Sequence, residues 1–149
     1  MRFALDSNIL VYAHDRREIQ RRDAALRLID GAARADCVLL LQSLAEFYKV
    51  ATGKLRIAAP DARGAVRAWS GAFPVHAASE STLALAMELD GEHGVSFWDA
   101  MLVAAAREAG CGALLSEDMQ DGRQVAGVLT FDPFVERNAG RLAQLLANS

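Results

Sequence analysis

Residues 37–42 read CVLLLQ, five apolar residues in a row followed by an amide. A run this short, with no polar position to mark a solvent side, is what a strand covered on both faces requires. Arg2 to Leu5, GALLS (112–116) and Val128 to Thr130 have the same character, and Pro74 to Ala77 offers a further short strand. Between these runs the apolar spacing turns helical. From Glu18 to Ala33 it is carried by Ile19, Ala25, Leu26, Leu28 and Ile29. Further helices are predicted from Ser43 to about Gly53, Pro60 to Gly71, Ser79 to Glu92, Ser96 to Ala109 with Gly110 as its stop, and Pro133 to Ala147. Strands alternating with helices make an α/β chain with a mainly parallel sheet and helices on both faces.

The bulk numbers agree with one packed unit. The chain has 149 residues, 52% hydrophobic and 23% charged, enough to bury a core and too apolar for disorder. No repeat or Pro/Gly-rich linker divides it, so a single domain over 1–149 is expected. No apolar run is long enough to cross a bilayer. The start, MRFALDSN, lacks the apolar stretch of a signal peptide, which points to a cytoplasmic protein. Cys37 and Cys111 stand in strand-like apolar settings and are expected to be small core residues. The net charge of −3 leaves the partner open, because neutralising a few clustered acids would turn the balance positive.

The functional crevice of an open parallel sheet lies beyond the carboxyl ends of its strands. Asp6 follows the first strand, Glu46 comes four residues after Gln42, and Asp118 two after Ser116. Asp99, in VSFWDAMLVAAA (95–106), opens the helix that leads toward the GALLS strand, and Asp121 lies just beyond Asp118. Each has a local reading. Ser43–Glu46 and Ser96–Asp99 both fit a capping box, Asp6 suits an Asx-turn or helix cap, and Asp121-Gly122 suits a turn. Together they read differently. Two carboxylates about 5 Å apart repel by roughly 3 kcal/mol at an effective dielectric of about 20. No Lys or Arg adjoins Asp6, Glu46 or Asp99 in sequence. A divalent cation would relieve that repulsion, and oxygen-only donors suit Mg²⁺ or Mn²⁺ better than Zn²⁺. His14, His76 and His93 are scattered, and no Gly-rich phosphate loop, nucleophile elbow or HExxH motif occurs.

LDSNIL (5–10), SLAEF (43–47), VSFWDAMLVAAA (95–106) and LLSEDMQDG (114–122) together resemble the PIN-domain ribonucleases, and most of all the VapC toxins of bacterial VapBC toxin–antitoxin pairs. The resemblance spans nearly the whole chain. It implies a PIN-like three-layer α/β/α sandwich whose central, mainly parallel sheet has four or five strands. It also implies hydrolysis of RNA phosphodiesters, leaving a 3′-hydroxyl and a 5′-phosphate, with one or two Mg²⁺ or Mn²⁺ ions held by Asp6, Glu46, Asp99 and Asp118. Ser116 and Asn8 are expected to orient a carboxylate or water. Asp118 is favoured as the fourth acid over Glu117, which should point away, with Asp121 as an auxiliary group.

RNA would need cations, for which Arg16, Arg17, Arg21, Arg22, Lys49, Lys54, Arg56 and Arg123 are candidates; pairing of the arginine group with Asp15, Glu18 and Asp23 is the competing reading. The family further implies a homodimer and a small antitoxin partner whose tail lies in a groove beside the acids. Phe47, Tyr48, Val50, Leu55 and Ile57 suit either that groove or ordinary core packing. Two other functions fit the same residues: a PIN nuclease of RNA processing with no toxic role, and a non-catalytic RNA-binding or assembly module.

Overall fold

Alternate residues of the central strands face opposite ways, and each set is buried, so the sheet must be covered twice. In the computed structural model, which describes residues 1–147, the strands are β1 (Phe3–Leu5), β2 (Cys37–Leu40), β3 (Val75–His76), β4 (Ala113–Leu115), β5 (Arg123–Val125) and β6 (Val128–Phe131). They form one sheet in the order β3-β2-β1-β4-β6-β5, parallel throughout except for β5 against β6. Phe3, Leu5, Cys37, Leu39, Leu115 and Phe131 join one core, and Ala4, Val38, Leu40, Leu114 and Val128 join the other.

The first core is closed by α1 (Ser7–Tyr12), α2 (Ile19–Ala32), α3 (Leu41–Thr52), α4 (Ala59–Ala72) and α7 (Ala139–Ala147). The second is closed by α5 (Glu80–His93) and α6 (Phe97–Glu108), which lie against each other. Ala100, Ala104, Ala105 and Ala106 let α6 press close to the sheet, since each is buried and brings only a methyl group. This is the expected α/β sandwich. Cys37 and Cys111 are free and buried within it.

Three local differences from the sequence reading matter. CVLLLQ does not stay extended to Gln42: β2 stops at Leu40 and α3 begins at Leu41 without a loop. Ser43 is therefore inside the helix rather than capping it, and its fully buried hydroxyl has no hydrogen-bond partner. SNILVY forms the short helix α1, capped by Asp6, whose carboxylate accepts the Ser7 amide. RQV adds a sixth, antiparallel edge strand; Ala126 and Gly127, both at positive φ, make the turn back to β6.

The chain runs outward from β1 to β2 and β3, then crosses to β4 on the other flank of β1. Beyond β1 and β4, where the winding changes direction, the carboxyl ends leave a crevice. Asp6 and Ser116 are the first residues past those two strands. No helix among the described residues is long and apolar enough to cross a membrane.

A four-carboxylate candidate active site

Asp6 is the fixed point of the site. It is 4% exposed, and each carboxylate oxygen has a donor: the Ser7 amide reaches Oδ1 at 2.6 Å and the Ser116 hydroxyl reaches Oδ2 at 2.7 Å. Ser116 is itself fully buried, and its oxygen accepts the amides of Asp118 (3.2 Å) and Met119 (3.3 Å). One hydroxyl thus ties the end of β1 to the loop after β4.

Asn8 spans the same gap. Its Nδ2 lies 3.2 Å from Ser116 Oγ, 3.2 Å from Asp118 Oδ2 and 3.5 Å from Asp6 Oδ2. Ser7 works in the other direction. Its hydroxyl lies 2.9 Å from Glu46 Oε2 and 3.4 Å from Asp6 Oδ1, and with one proton to give it donates to the nearer. Gln42 completes the chain of contacts: its Nε2 donates to Glu46 Oε1 at 2.9 Å and to the Trp98 carbonyl at 3.1 Å. Asp99 stands in the first turn of α6, where Ser96 is the N-cap and its hydroxyl accepts the Asp99 amide at 3.4 Å.

Asp6, Glu46, Asp99 and Asp118, from four separate elements, are thereby brought to one end of the sheet. Their charges feel one another. Burial pushes the Asp6 carboxyl up to about 6, against the hydrogen bonds from Ser116 and Ser7, and the charges of Glu46 and Asp99 add to the rise. Asp99 is also raised, first by burial and then by Glu46 and Asp118, against its bond with Ser96. The ion pairs of the described residues (Arg2–Asp36, Arg17–Asp15, Arg21–Glu117, Arg22–Asp23, Arg34–Asp30, Arg137–Asp121) leave all four acids aside. Ser7, Asn8, Gln42 and Ser116 reach their side chains as neutral hydrogen-bond donors, while Arg123 lines the cavity that Asp99 and Asp118 share.

The pH consequence follows from the sign of the Asp6 shift. The folded carboxyl, at about 6, binds its proton more tightly than the unfolded one at 3.8. Asp6 therefore favours the folded state most below about pH 4, and that advantage is lost as the pH rises through about 6. In EDTA, wild type should lose thermal stability relative to Asp6→Asn across that window and run parallel to it above about pH 7. Parallel curves throughout would show that Asp6 titrates normally.

The donor set suits a hard divalent cation in type, being all oxygen, and in charge, being four carboxylates. Among the described residues no three His, Cys, Asp or Glu side chains already converge within ligating range of one point. Asp6 is fixed, whereas Glu46 and Asp99 are part-exposed and Asp118 is exposed, so these three have room to turn toward it. Asp99 and Asp118 share the wall of a cavity of about 240 Å³ with Val103, Met119, Val125 and the cationic Arg123.

Other expected residues sit elsewhere. Asp121, expected as an auxiliary group, has its carboxylate taken up by other partners. Its oxygens accept from the Asp132 amide (2.8 Å), Asn138 Nδ2 (2.8 Å) and Arg137 (2.6 Å), anchoring the segment that leads into α7. Glu117 points away, to Arg21 at 3.5 Å and to Tyr12. Phe47 is wholly buried against Trp69, a core residue rather than part of a groove. His14 packs on the same two rings, and burial lowers its pKa. His76 falls in β3, and the side chain of His93 lies outside the described residues.

Of the cations, Arg17, Arg21 and Arg22 have acidic partners within the chain. Arg16, Arg17, Arg22, Lys54 and Arg56 nonetheless line a cavity of about 730 Å³ together with Leu55 and Ile57, where Asp15 and Asp61 are the acids. It opens just past the ends of α1 and α3, the two helices whose other turns carry Asp6, Ser7, Asn8 and Glu46.

Ser7 and Gln42 are the contacts that sequence reading missed. Gln42 and Glu46 are a helical i,i+4 pair, legible only once α3 is known to start at Leu41.

The PIN domain family model matches residues 3–127. Solved structures with the same fold include VapC20 of Mycobacterium tuberculosis, a sarcin-ricin loop cleaving toxin, at 19% identity and a TM-score of 0.62, covering 78% of this chain and 91% of that one. A toxin–antitoxin complex from Klebsiella pneumoniae aligns at 19% identity and 0.62, covering 85% and 95%. VapBC2 from Rickettsia felis, bound to a promoter DNA fragment, aligns at 16% and 0.66, covering 89% and 98%. No curated protein sequence matches.

Proposed function

The chain belongs to the PIN domain family, and from that premise we propose that it is a Mg²⁺- or Mn²⁺-dependent endoribonuclease, the toxin of a toxin–antitoxin pair. The observation that carries the reading is the set of four carboxylates gathered at one end of the sheet, tied to one another through Ser7, Asn8, Gln42 and Ser116, with Asp6 and Asp99 raised by their neighbours' charges. A structural role would pair such acids with Lys or Arg, as the chain does for Asp15, Asp30 and Asp121.

Asp6, Asp99, Asp118 and Glu46 would hold the cation, which when bound offsets charge growing on the phosphate oxygens and acidifies an attacking water. The remaining work belongs to the chain. Ser116 and the Ser7 amide keep Asp6 in one orientation, Ser7 and Gln42 do the same for Glu46, and Asn8 restrains Asp118. The basic cavity past α1 and α3 suits the phosphate backbone away from the scissile bond. Solved structures of the same fold include toxins, two of them captured in toxin–antitoxin complexes, which supports an antitoxin as partner.

The test is purified protein against a pool of structured RNAs, in Mg²⁺ or Mn²⁺ and in EDTA. Cleavage is expected only with the metal. Cleavage that persists in EDTA sinks the mechanism.

A residue that orients a ligating carboxylate without touching substrate costs about 10- to 100-fold when removed. Ser116→Ala should fall in that range, because it strips Asp6 Oδ2 of its 2.7 Å donor. The loss should appear in the Mn²⁺ concentration needed for half-maximal rate. An unchanged metal requirement would remove Ser116 from the role.

A further inference from the structure

Trp98 stands immediately before Asp99, and 63% of it is exposed. The chain's other tryptophan, Trp69, is 9% exposed and packed against Phe47 at 4.7 Å. Trp98 is also held in place. Its carbonyl accepts Gln42 Nε2, the same amide that donates to Glu46, and its ring meets Phe97 at 5.0 Å and 66°.

The exposed ring directly precedes Asp99 in the chain, where a flat group arriving with a phosphodiester could cover it. Its chain neighbours Ser96 and Asp99, and Gln42, which bonds its carbonyl, are polar; Leu41, beside Gln42 in the chain, is also exposed, as are Leu83 and Met87 on α5. A stable protein interface covers about 800 Å² on each partner around an apolar centre. One ring among polar groups does not supply that. Every base of a single strand, by contrast, offers a π-face whatever its identity.

We propose that Trp98 is the platform on which an unpaired base of the RNA, next to the scissile phosphate, stacks. This rests on the ribonuclease reading above. Phe97 packs against the ring and Gln42 ties the Trp98 backbone to Glu46, so stacking fixes the strand's register over Asp99 and Glu46.

Two measurements test it together. The first is cleavage of a single-stranded oligoribonucleotide by wild type, Trp98→Phe and Trp98→Leu. Trp98→Leu should raise KM about tenfold with kcat within about twofold, and Trp98→Phe should recover most of the loss. The second is tryptophan fluorescence of Asp118→Asn, expected to halt cleavage, titrated in Mg²⁺ with that oligonucleotide and with one of equal length carrying abasic positions. Quenching should follow the bases, and should vanish when Trp98→Leu is added to the same protein.

Equal quenching by the abasic strand, or an unchanged KM in Trp98→Leu, overturns the proposal while the nuclease stands. If wild type cleaves no RNA but quenching is still base-dependent, the nuclease reading fails and the stacking site remains. Loss of both signals overturns both. If Trp98→Leu instead halves the particle mass in sedimentation, the ring belongs to a contact between copies, and the proposal falls.

Discussion

Asp99→Asn is expected to slow RNA cleavage by about a thousandfold while the protein stays folded. Losing one ligating charge removes several kcal/mol of transition-state stabilisation, and about 4 kcal/mol corresponds to that factor. The fold should hardly notice. Asn keeps the shape, and Ser96 remains the helix cap through the Asp99 backbone amide, which the substitution does not touch. A first-turn acid is worth about 0.3–1 kcal/mol against the helix dipole. Relief of burial, and of the charges of Glu46 and Asp118, works in the opposite direction. A large loss of rate with a near-constant Tm separates a site residue from a cap. A large fall in Tm with cleavage preserved would make Asp99 a residue that only stabilises the start of α6.

Phe47→Ala should cost about 3–5 kcal/mol of folding stability. Its ring is fully buried, 4.7 Å from Trp69 and 5.4 Å from His14, where α1, α3 and α4 meet. Against a typical total of about 5–15 kcal/mol, that loss is a large share of what keeps the chain folded. It also sits one residue from Glu46, so cleavage should fail with unfolding as temperature rises rather than at every temperature. Urea denaturation of wild type and variant measures it. A cost below about 1 kcal/mol would mean that the Phe47 contacts are not those described.

The sheet was legible from runs such as CVLLLQ and GALLS, because a strand buried on both faces tolerates no polar position. The start of α3 was not, because Leu41 and Gln42 continue an apolar run and the handover from strand to helix uses no turn residue. The helix α1 was hidden likewise, since SNILVY is too short and too β-branched to show a helical period. RQV became a strand only through pairing with β6, a tertiary fact without a local signature.

At the site, the acids could be placed by their positions after strands. The sequence could not show that Asp121 answers to Arg137 and Asn138, because those partners lie sixteen and seventeen residues further on. Nor could it show that Ser7 and Gln42 carry Glu46, since Ser7 acts across 39 residues.

The central claim is that these carboxylates act by holding a divalent cation. The most direct measurement is Mn²⁺ binding, followed by electron paramagnetic resonance, to wild type and to Asp99→Asn at neutral pH. Wild type should bind saturably, and the variant at least about tenfold more weakly. No binding by wild type, or equal binding by both, would contradict the account.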